Sequence, residues 1–167
     1  QAAKSGGDDV RVAALRALEP VGDASAVPFL AETAATAPKR PVQDAARRAL
    51  GSLRGREVDT AIASGLARPA SDGVAAELLK AVAERRLFIA KPAVAASLAA
   101  PSAAVRIEGL KSLRVIGAPS DASPVLDILL KTADDIEQAE AEKTVTALLQ
   151  KTAGQDNRSR LLRTRLT

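Results

Sequence analysis

Apolar residues recur along the chain with the spacing of one helix face, most clearly in the stretch Val10–Leu30. Its first half follows the i, i+3, i+4, i+7 spacing that lines one side of a helix. The apolar positions are Val10, Ala13, Ala14, Ala17, Leu18 and Val21. Asp8 or Asp9 is expected to cap the start of this helix. Gly22 is expected to end it in a left-handed conformation, and Pro28 is expected to lie in the first turn of a second helix. The stretch therefore predicts a helical hairpin with this apolar face in the core.

The sequence pattern that starts at Val10 recurs about every 31 to 32 residues. Copies start at Val10, Val42, Val74 and Val105, with a weaker copy at Ile136. Second helices are predicted between them, over 25–37, 57–68, 91–100, 123–133 and 156–166. A fixed period of this length predicts hairpins that stack and share one core.

These patterns predict an all-α solenoid of about five stacked antiparallel helix pairs. The whole of 1–167 is expected to form one repeat domain, with units at 8–38, 39–69, 70–100, 101–133 and 134–167. Val12 and Leu15 flank the apolar face of the first helix and are expected to be exposed. Together with the start at Gln1, they suggest that the chain is a fragment whose first repeat has lost a neighbour.

The sequence resembles HEAT-like repeats of the short kind, with about 30 residues per unit. The resemblance rests on the recurring sequence pattern, on the glycine corner at Gly22 and on the start of the second helix at Ala26–Leu30. Gln43 and Ala75 depart from the usual Arg. The resemblance implies a concave layer of second helices and an outer layer of first helices. Bilin lyases and a His-rich iron hydroxylase are enzymes similar to this repeat family, but the hydroxylase type needs metal-binding His pairs and this chain has no His.

Composition fits such a stack, because the chain is 47% hydrophobic but only 1% aromatic, with Phe29 and Phe88 as its aromatic residues. The absence of Cys leaves the redox compartment undetermined. The sequence has no apolar run long enough to span a membrane and no signal-like segment, and it predicts no localisation. The Ala/Arg-rich composition is the one hint of a bacterial source.

Catalysis finds little support in the sequence. Without His and Cys the usual base, thiolate nucleophile and zinc ligands are missing, and no nucleophile or phosphate-loop motif occurs. The carboxylates that could bind a hard cation are Asp134, Asp135, Glu137, Glu140 and Glu142. Their spacing is typical of a solvated, acidic helix start. The sequence therefore predicts no enzyme, no catalytic residue, no cofactor and no metal.

Four basic residues recur six positions after the repeat starts, on the side that faces away from the core. This basic ridge consists of Arg16, Arg48, Lys80 and Lys111. It could follow the phosphates of a nucleic acid, which is the alternative function. However, Asp44, Glu77 and Glu108 lie one helical turn before three of the four residues, and no Trp or Tyr is available to stack on bases. The ridge is therefore expected to be a solvated face.

The function predicted first is a non-catalytic scaffold or protein-interaction module. Its partner would be another protein or a neighbouring domain of the same chain. The polar residues expected on the concave side are Glu32, Asp59, Lys91, Asp127 and Lys131. Of these, Asp127 and Lys131 are also spaced for a local i,i+4 ion pair.

Overall fold

The structure is a computed structural model that describes the backbone of residues 2–165 and the side chains of residues 7–151. Within those residues the chain forms helices and no strands. The helices are α1 (Ala2–Val21), α2 (Ala26–Thr36), α3 (Arg40–Ser52), α4 (Arg56–Ala67), α5 (Asp72–Arg85), α6 (Lys91–Ser97), α7 (Ala103–Ile116), α8 (Ala122–Lys131) and α9 (Asp135–Arg165). Short 3-10 turns at Phe88–Ala90 and Pro119–Asp121 precede α6 and α8. The all-α prediction is confirmed.

The helices form two layers. The odd-numbered helices pack on one another in chain order, α1 on α3 and onward to α9, and we call them the A layer. The even-numbered helices form the B layer, in which each helix packs on the A helix that follows it, as α2 packs on α3 and α8 on α9. This arrangement is the stacked, solenoid-like architecture that the repeat predicted.

The two layers share one continuous hydrophobic core. Alanines such as Ala45, Ala46 and Ala49 are fully buried in α3 and let neighbouring helices approach closely. Leucines such as Leu50 and Leu79 fill the remaining space, and burial of each contributes about 1.5–3 kcal/mol. Small and large aliphatic side chains together therefore build the core without aromatic residues.

Basic side chains of two A helices reach the C-terminal end of the A helix before them. Arg85 at the end of α5 donates to the carbonyl oxygen of Gly51 at 2.8 Å, and Lys151 in α9 donates to that of Gly117 at 2.7 Å. Each bond reaches back 34 residues along the chain. These bonds satisfy carbonyl groups that a helix end leaves without an intrahelical partner.

The first helix differs from its prediction. It begins at Ala2, so Asp8 and Asp9 lie inside the helix and cap nothing. Leu15, which was expected to be exposed, is buried, and Val12 is half-buried against the core. The predicted core face is turned outward, apart from the half-buried Leu18. The sequence of α1 offers two apolar stripes, and packing against α3 selected the one that contains Leu15.

The last predicted helix and the residue that follows α1 also differ from prediction. The separate second helix expected over 156–166 is absent, because α9 runs without a break from Asp135 to Arg165. Gly22 is not left-handed; that conformation occurs at Arg86 after α5, with φ of 53°. Gly22 is instead needed for space, since a Cβ there would lie 2.6 Å from Cδ2 of Leu53.

Candidate functional site

A cleft of about 600 Å³ lies between α6 and α8 and reaches the start of α9. We call it the α6–α8 cleft. Its apolar walls are formed by Ala95, Leu98, Ala99, Pro124 and Ile128. Its charged and polar lining consists of Arg106, Asp127, Lys131, Thr132, Asp134 and Glu137. The cleft therefore combines an aliphatic surface with charges of both signs.

The space arises because α6 is short and rich in alanine. The helix ends at Ser97, and the small side chains of Ala95 and Ala99 leave the gap towards α8 unfilled. On its other side α6 lies tightly against α7, where a Cβ on Gly109 would collide with Oγ of Ser97. Close packing on one side and small residues on the other thus shape the cleft.

An ion pair closes the inner end of the cleft. Nε and Nη2 of Arg106 donate to the two carboxylate oxygens of Glu137, at 2.5 and 2.9 Å. The Thr132 hydroxyl donates to the same carboxylate at 2.6 Å. Nη1 of Arg106 donates to the carbonyl oxygens of Ala100 and Pro101. Both charged groups at this end of the cleft therefore already have protein partners.

Both members of this pair are charged at neutral pH. Hydrogen bonds from Arg106 lower the pKa of Glu137, although burial acts in the opposite direction, and Thr132 adds to the lowering. The same contact with Glu137 raises the pKa of Arg106. Glu137, which the sequence placed on a solvated helix start, is only 1% exposed. That expectation was wrong because α7 and Thr132 cover the first turn of α9.

The outer rim of the cleft carries charges that are open to solvent. Asp127 and Lys131 are exposed on consecutive turns of α8, and the expected ion pair between them is not among those formed within residues 7–151. Asp134 is also exposed, and its Oδ1 accepts from the backbone N–H groups of Ile136 and Glu137 at 2.9 Å. With Arg106 and Glu137 neutralising each other, the rim presents two carboxylates and one ammonium group.

The basic ridge is only partly open. Lys80 pairs with Glu77 and Lys111 with Glu108, each at 2.8 Å, as their spacing predicted. Arg16 and Arg48 are exposed. The predicted pair of Arg48 with Asp44 is replaced by a bond from Arg47 to Asp44 at 2.8 Å. Arg47 also reaches Glu77 on α5, and this second carboxylate explains why Arg47 is the residue turned inward.

The residues expected on the concave side have different surroundings. Asp59 accepts hydrogen bonds from Arg85 at 2.5 and 3.0 Å, and Lys91 pairs with Asp121 at 2.7 Å. Glu32 is exposed on α2. Asp59 and Lys91 therefore join neighbouring elements of the fold, whereas Asp127 and Lys131 are the members of this group that reach the α6–α8 cleft.

The described part of the chain lacks two further features. No group of three or more carboxylate side chains there is arranged to hold a metal ion. None of the helices there has the length and apolar character needed to cross a membrane.

No known protein family matches the sequence, and no curated protein sequence matches it either. Among solved structures, the fold is similar to that of human deoxyhypusine hydroxylase in complex with glycerol, with a TM-score of 0.55 and 21% sequence identity. The match covers 74% of this chain and 43% of the hydroxylase, so the chain spans less than half of that protein. An engineered protein aligns over 86% of this chain and 92% of its own, with a TM-score of 0.43 and 18% identity.

The hydroxylase comparison overturns two predictions. A non-catalytic scaffold was expected because of the stacked-helix architecture, and enzyme activity was excluded. Both predictions are wrong, because the stacked-helix architecture on which they were based also occurs in an enzyme. At this level of identity the likeness concerns the fold alone: the chain is similar in fold to an all-helical repeat enzyme.

Proposed function

We propose that the chain is the ligand-binding part of a helical-repeat enzyme of the HEAT-like kind, and that it binds a small zwitterionic molecule in the α6–α8 cleft. The observation that carries the proposal is the cleft itself, which combines aliphatic walls with a charged rim. Its volume of about 600 Å³ lies within the range of small-molecule sites. Such sites are mostly apolar and contain a few polar groups that orient the ligand.

The charges at the rim suggest the chemical class of the ligand. Asp127 and Asp134 offer carboxylates to an ammonium group, while Lys131 offers an ammonium group to a carboxylate. Leu98 and Ile128 provide aliphatic surface for a hydrocarbon part. An aliphatic amino acid combines these three features, so it is the simplest molecule that this surface complements.

The fixed ion pair supports binding without rearrangement. Arg106 and Glu137 are already held by protein partners, so a ligand does not have to order them. Preorganisation of this kind reduces the entropic cost of association. No hydroxylation step is assigned to the chain, because the iron hydroxylase of this repeat family needs His pairs and this sequence contains no His.

The proposal is tested by an NMR titration of the ¹⁵N-labelled chain with L-leucine. We expect saturable shifts of the amides of Asp127, Lys131 and Asp134. Isopentylamine and 4-methylpentanoate each lack one charge and are expected to bind about tenfold more weakly, a difference of about 1.4 kcal/mol. Absence of saturable shifts up to about 10 mM contradicts the proposal.

Two variants locate the binding site. Asp127→Asn and Lys131→Gln change exposed side chains and are expected to weaken leucine binding without unfolding the protein. Arg48→Gln also changes an exposed side chain, on α3 and outside the cleft, and serves as the matched control. Equal loss of binding in all three variants would point to general electrostatics in place of a site.

A further inference from the structure

A second cleft lies between α1 and α2 and reaches the start of α3. This α1–α2 cleft has a volume of about 350 Å³, which is within the range of small-molecule sites. Most of its lining is apolar, with Leu15 and Val42 buried and Phe29 56% exposed at its edge. Among the described residues that line it, Arg11 is the only charged one. The cleft thus combines an apolar surface with a single positive charge.

The α1–α2 cleft is the repeat equivalent of the α6–α8 cleft. Arg11 and Arg106 occupy the second position of the first and the fourth repeat, and each of them lines its own cleft. Ala37 and Thr132 are the C-cap residues of α2 and α8, and they also line one cleft each. The two clefts are therefore built on the same frame, three repeats apart.

One position distinguishes the two arginines. The third residue of α9 is Glu137, whose carboxylate pairs with Arg106. The third residue of α3 is Val42, which lines the α1–α2 cleft. Val42 and Glu137 are both buried, at 2% and 1% exposure, so the valine occupies the place of the glutamate. The fold therefore supplies a carboxylate to Arg106 and none at the equivalent position to Arg11.

No other carboxylate takes that place. Arg11 is exposed, and no ion pair to it forms within residues 7–151. Asp8 and Asp9 precede it, but neither lines the cleft, and Asp9 lies on the other side of α1 because each residue advances about 100° around a helix. Lys39 and Arg40 are exposed where the chain enters α3 and add positive charge. The guanidinium of Arg11 is therefore open to an anion.

We propose that the α1–α2 cleft binds a hydrophobic monocarboxylate, whose carboxylate pairs with Arg11 as that of Glu137 pairs with Arg106. A carboxylate matches the two parallel N–H groups that a guanidinium presents. The hydrocarbon part of the ligand lies along Leu18 towards Phe29. Arg11 and Leu18 are two turns of α1 apart, which corresponds to about 10 Å. Octanoate is a monocarboxylate of this length, and it is the probe for the test.

The test is an NMR titration of the ¹⁵N-labelled full chain with octanoate. We expect saturable shifts of the amides of Ala14, Leu18 and Phe29, with a Kd below about 1 mM. Octylammonium has the same hydrocarbon chain and the opposite charge, and is expected to bind at least about tenfold more weakly. Absence of saturable shifts, equal affinity for the two probes, or shifts confined to Asp127 and Lys131 in the α6–α8 cleft would each overturn the proposal.

Two arginine variants test the charge contact. Arg11→Gln is expected to weaken octanoate binding at least about tenfold and to remove the preference over octylammonium. Arg16→Gln changes another exposed arginine of α1, outside the cleft lining, and should keep the affinity of the unmodified chain. Undiminished binding to the Arg11→Gln chain, or equal losses in both variants, contradicts the assigned contact and overturns the proposal.

A third variant supplies the missing carboxylate from the protein itself. Val42→Glu places in the first repeat the group that Glu137 provides in the fourth, and it is expected to pair with Arg11 and lower octanoate affinity at least about tenfold. Val42→Leu keeps the position apolar and should retain binding. A Val42→Glu chain that is folded by circular dichroism and binds octanoate undiminished overturns the proposal. Because Val42 is buried, the variant of the exposed Arg11 decides the outcome where Val42→Glu fails to fold.

Discussion

Arg106 and Glu137 form a two-bond ion pair that joins α7 to α9 across one repeat. Arg47 and Glu77 form a similar two-bond pair between α3 and α5. In both pairs the carboxylate is buried and the arginine comes from the preceding A helix. Buried carboxylates thus join successive A helices at a fixed point of each pair.

Removal of Arg106 should destabilise the fold. Arg106→Leu leaves Glu137 buried with Thr132 as its remaining side-chain donor, and breaking a buried pair in this way costs about 3–5 kcal/mol. Because Arg106 itself is partly exposed, we expect a loss of about 3 kcal/mol in urea unfolding. Arg48→Leu removes an exposed arginine and should change the free energy of unfolding by less than about 0.5 kcal/mol. Equal effects of the two variants would contradict a structural role for the pair.

Stability should fall in acid. The pKa of Glu137 is lowered chiefly by hydrogen bonds from Arg106, and that of Glu140 chiefly by a hydrogen bond from Lys143. Burial raises the pKa of Glu77, but hydrogen bonds from Arg47 and Lys80 outweigh it, so the net shift is also downward. Groups with a lowered folded pKa stabilise the protein fully above the unfolded value of about 4.3, and this contribution is lost as the pH falls through the folded pKa.

Urea unfolding at a series of pH values checks this expectation. The free energy of unfolding should be nearly constant from about pH 7 to pH 5 and then decrease towards about pH 3. Glu137→Gln should be less stable at neutral pH and show a shallower decrease in acid. An unchanged slope in this variant would mean that Glu137 does not contribute to the acid sensitivity.

Gly109 should tolerate no larger residue. A Cβ at this position meets Oγ of Ser97 and lies 3.2 Å from Cδ2 of Leu98, so Gly109→Ala requires these two buried side chains to move. Overpacking of this kind costs about 1–3 kcal/mol, measured as a lower midpoint in urea. Gly7→Ala is the control, because nothing lies within 4 Å of its added methyl group. It should be neutral or stabilising by up to about 1 kcal/mol.

Lys151 should hold the end of α7. Its Nζ donates to the carbonyl oxygens of Arg114, Val115 and Gly117, and burial lowers its pKa. Lys151→Met keeps most of the side chain but removes these bonds, at an expected net cost of about 1 kcal/mol. Hydrogen exchange should accelerate at the amide of Gly117. Lys143→Met removes a lysine that bonds the side chain of Glu140, and exchange at Gly117 should stay unchanged in that variant.

The candidate site could be predicted only in part. Asp127 and Lys131 were expected as polar residues on the concave side, and the structure places both in the lining of the α6–α8 cleft. The buried pair of Arg106 and Glu137 was missed, because an arginine and a glutamate a repeat apart look like two solvated residues in sequence. Their spacing of 31 residues, equal to the repeat, was the available signal.

The sequence by itself determined the all-α stack and most of its helices, because those properties depend on local propensity and on apolar spacing within one helix. Tertiary structure alone decided which side of α1 is buried, since Val10 and Leu15 lie on different sides of the helix and the side of Leu15 is the buried one. It also decided the partners of the charged residues. An ion pair depends on where a neighbouring helix places its side chains, as when Arg47, and not Arg48, meets Glu77.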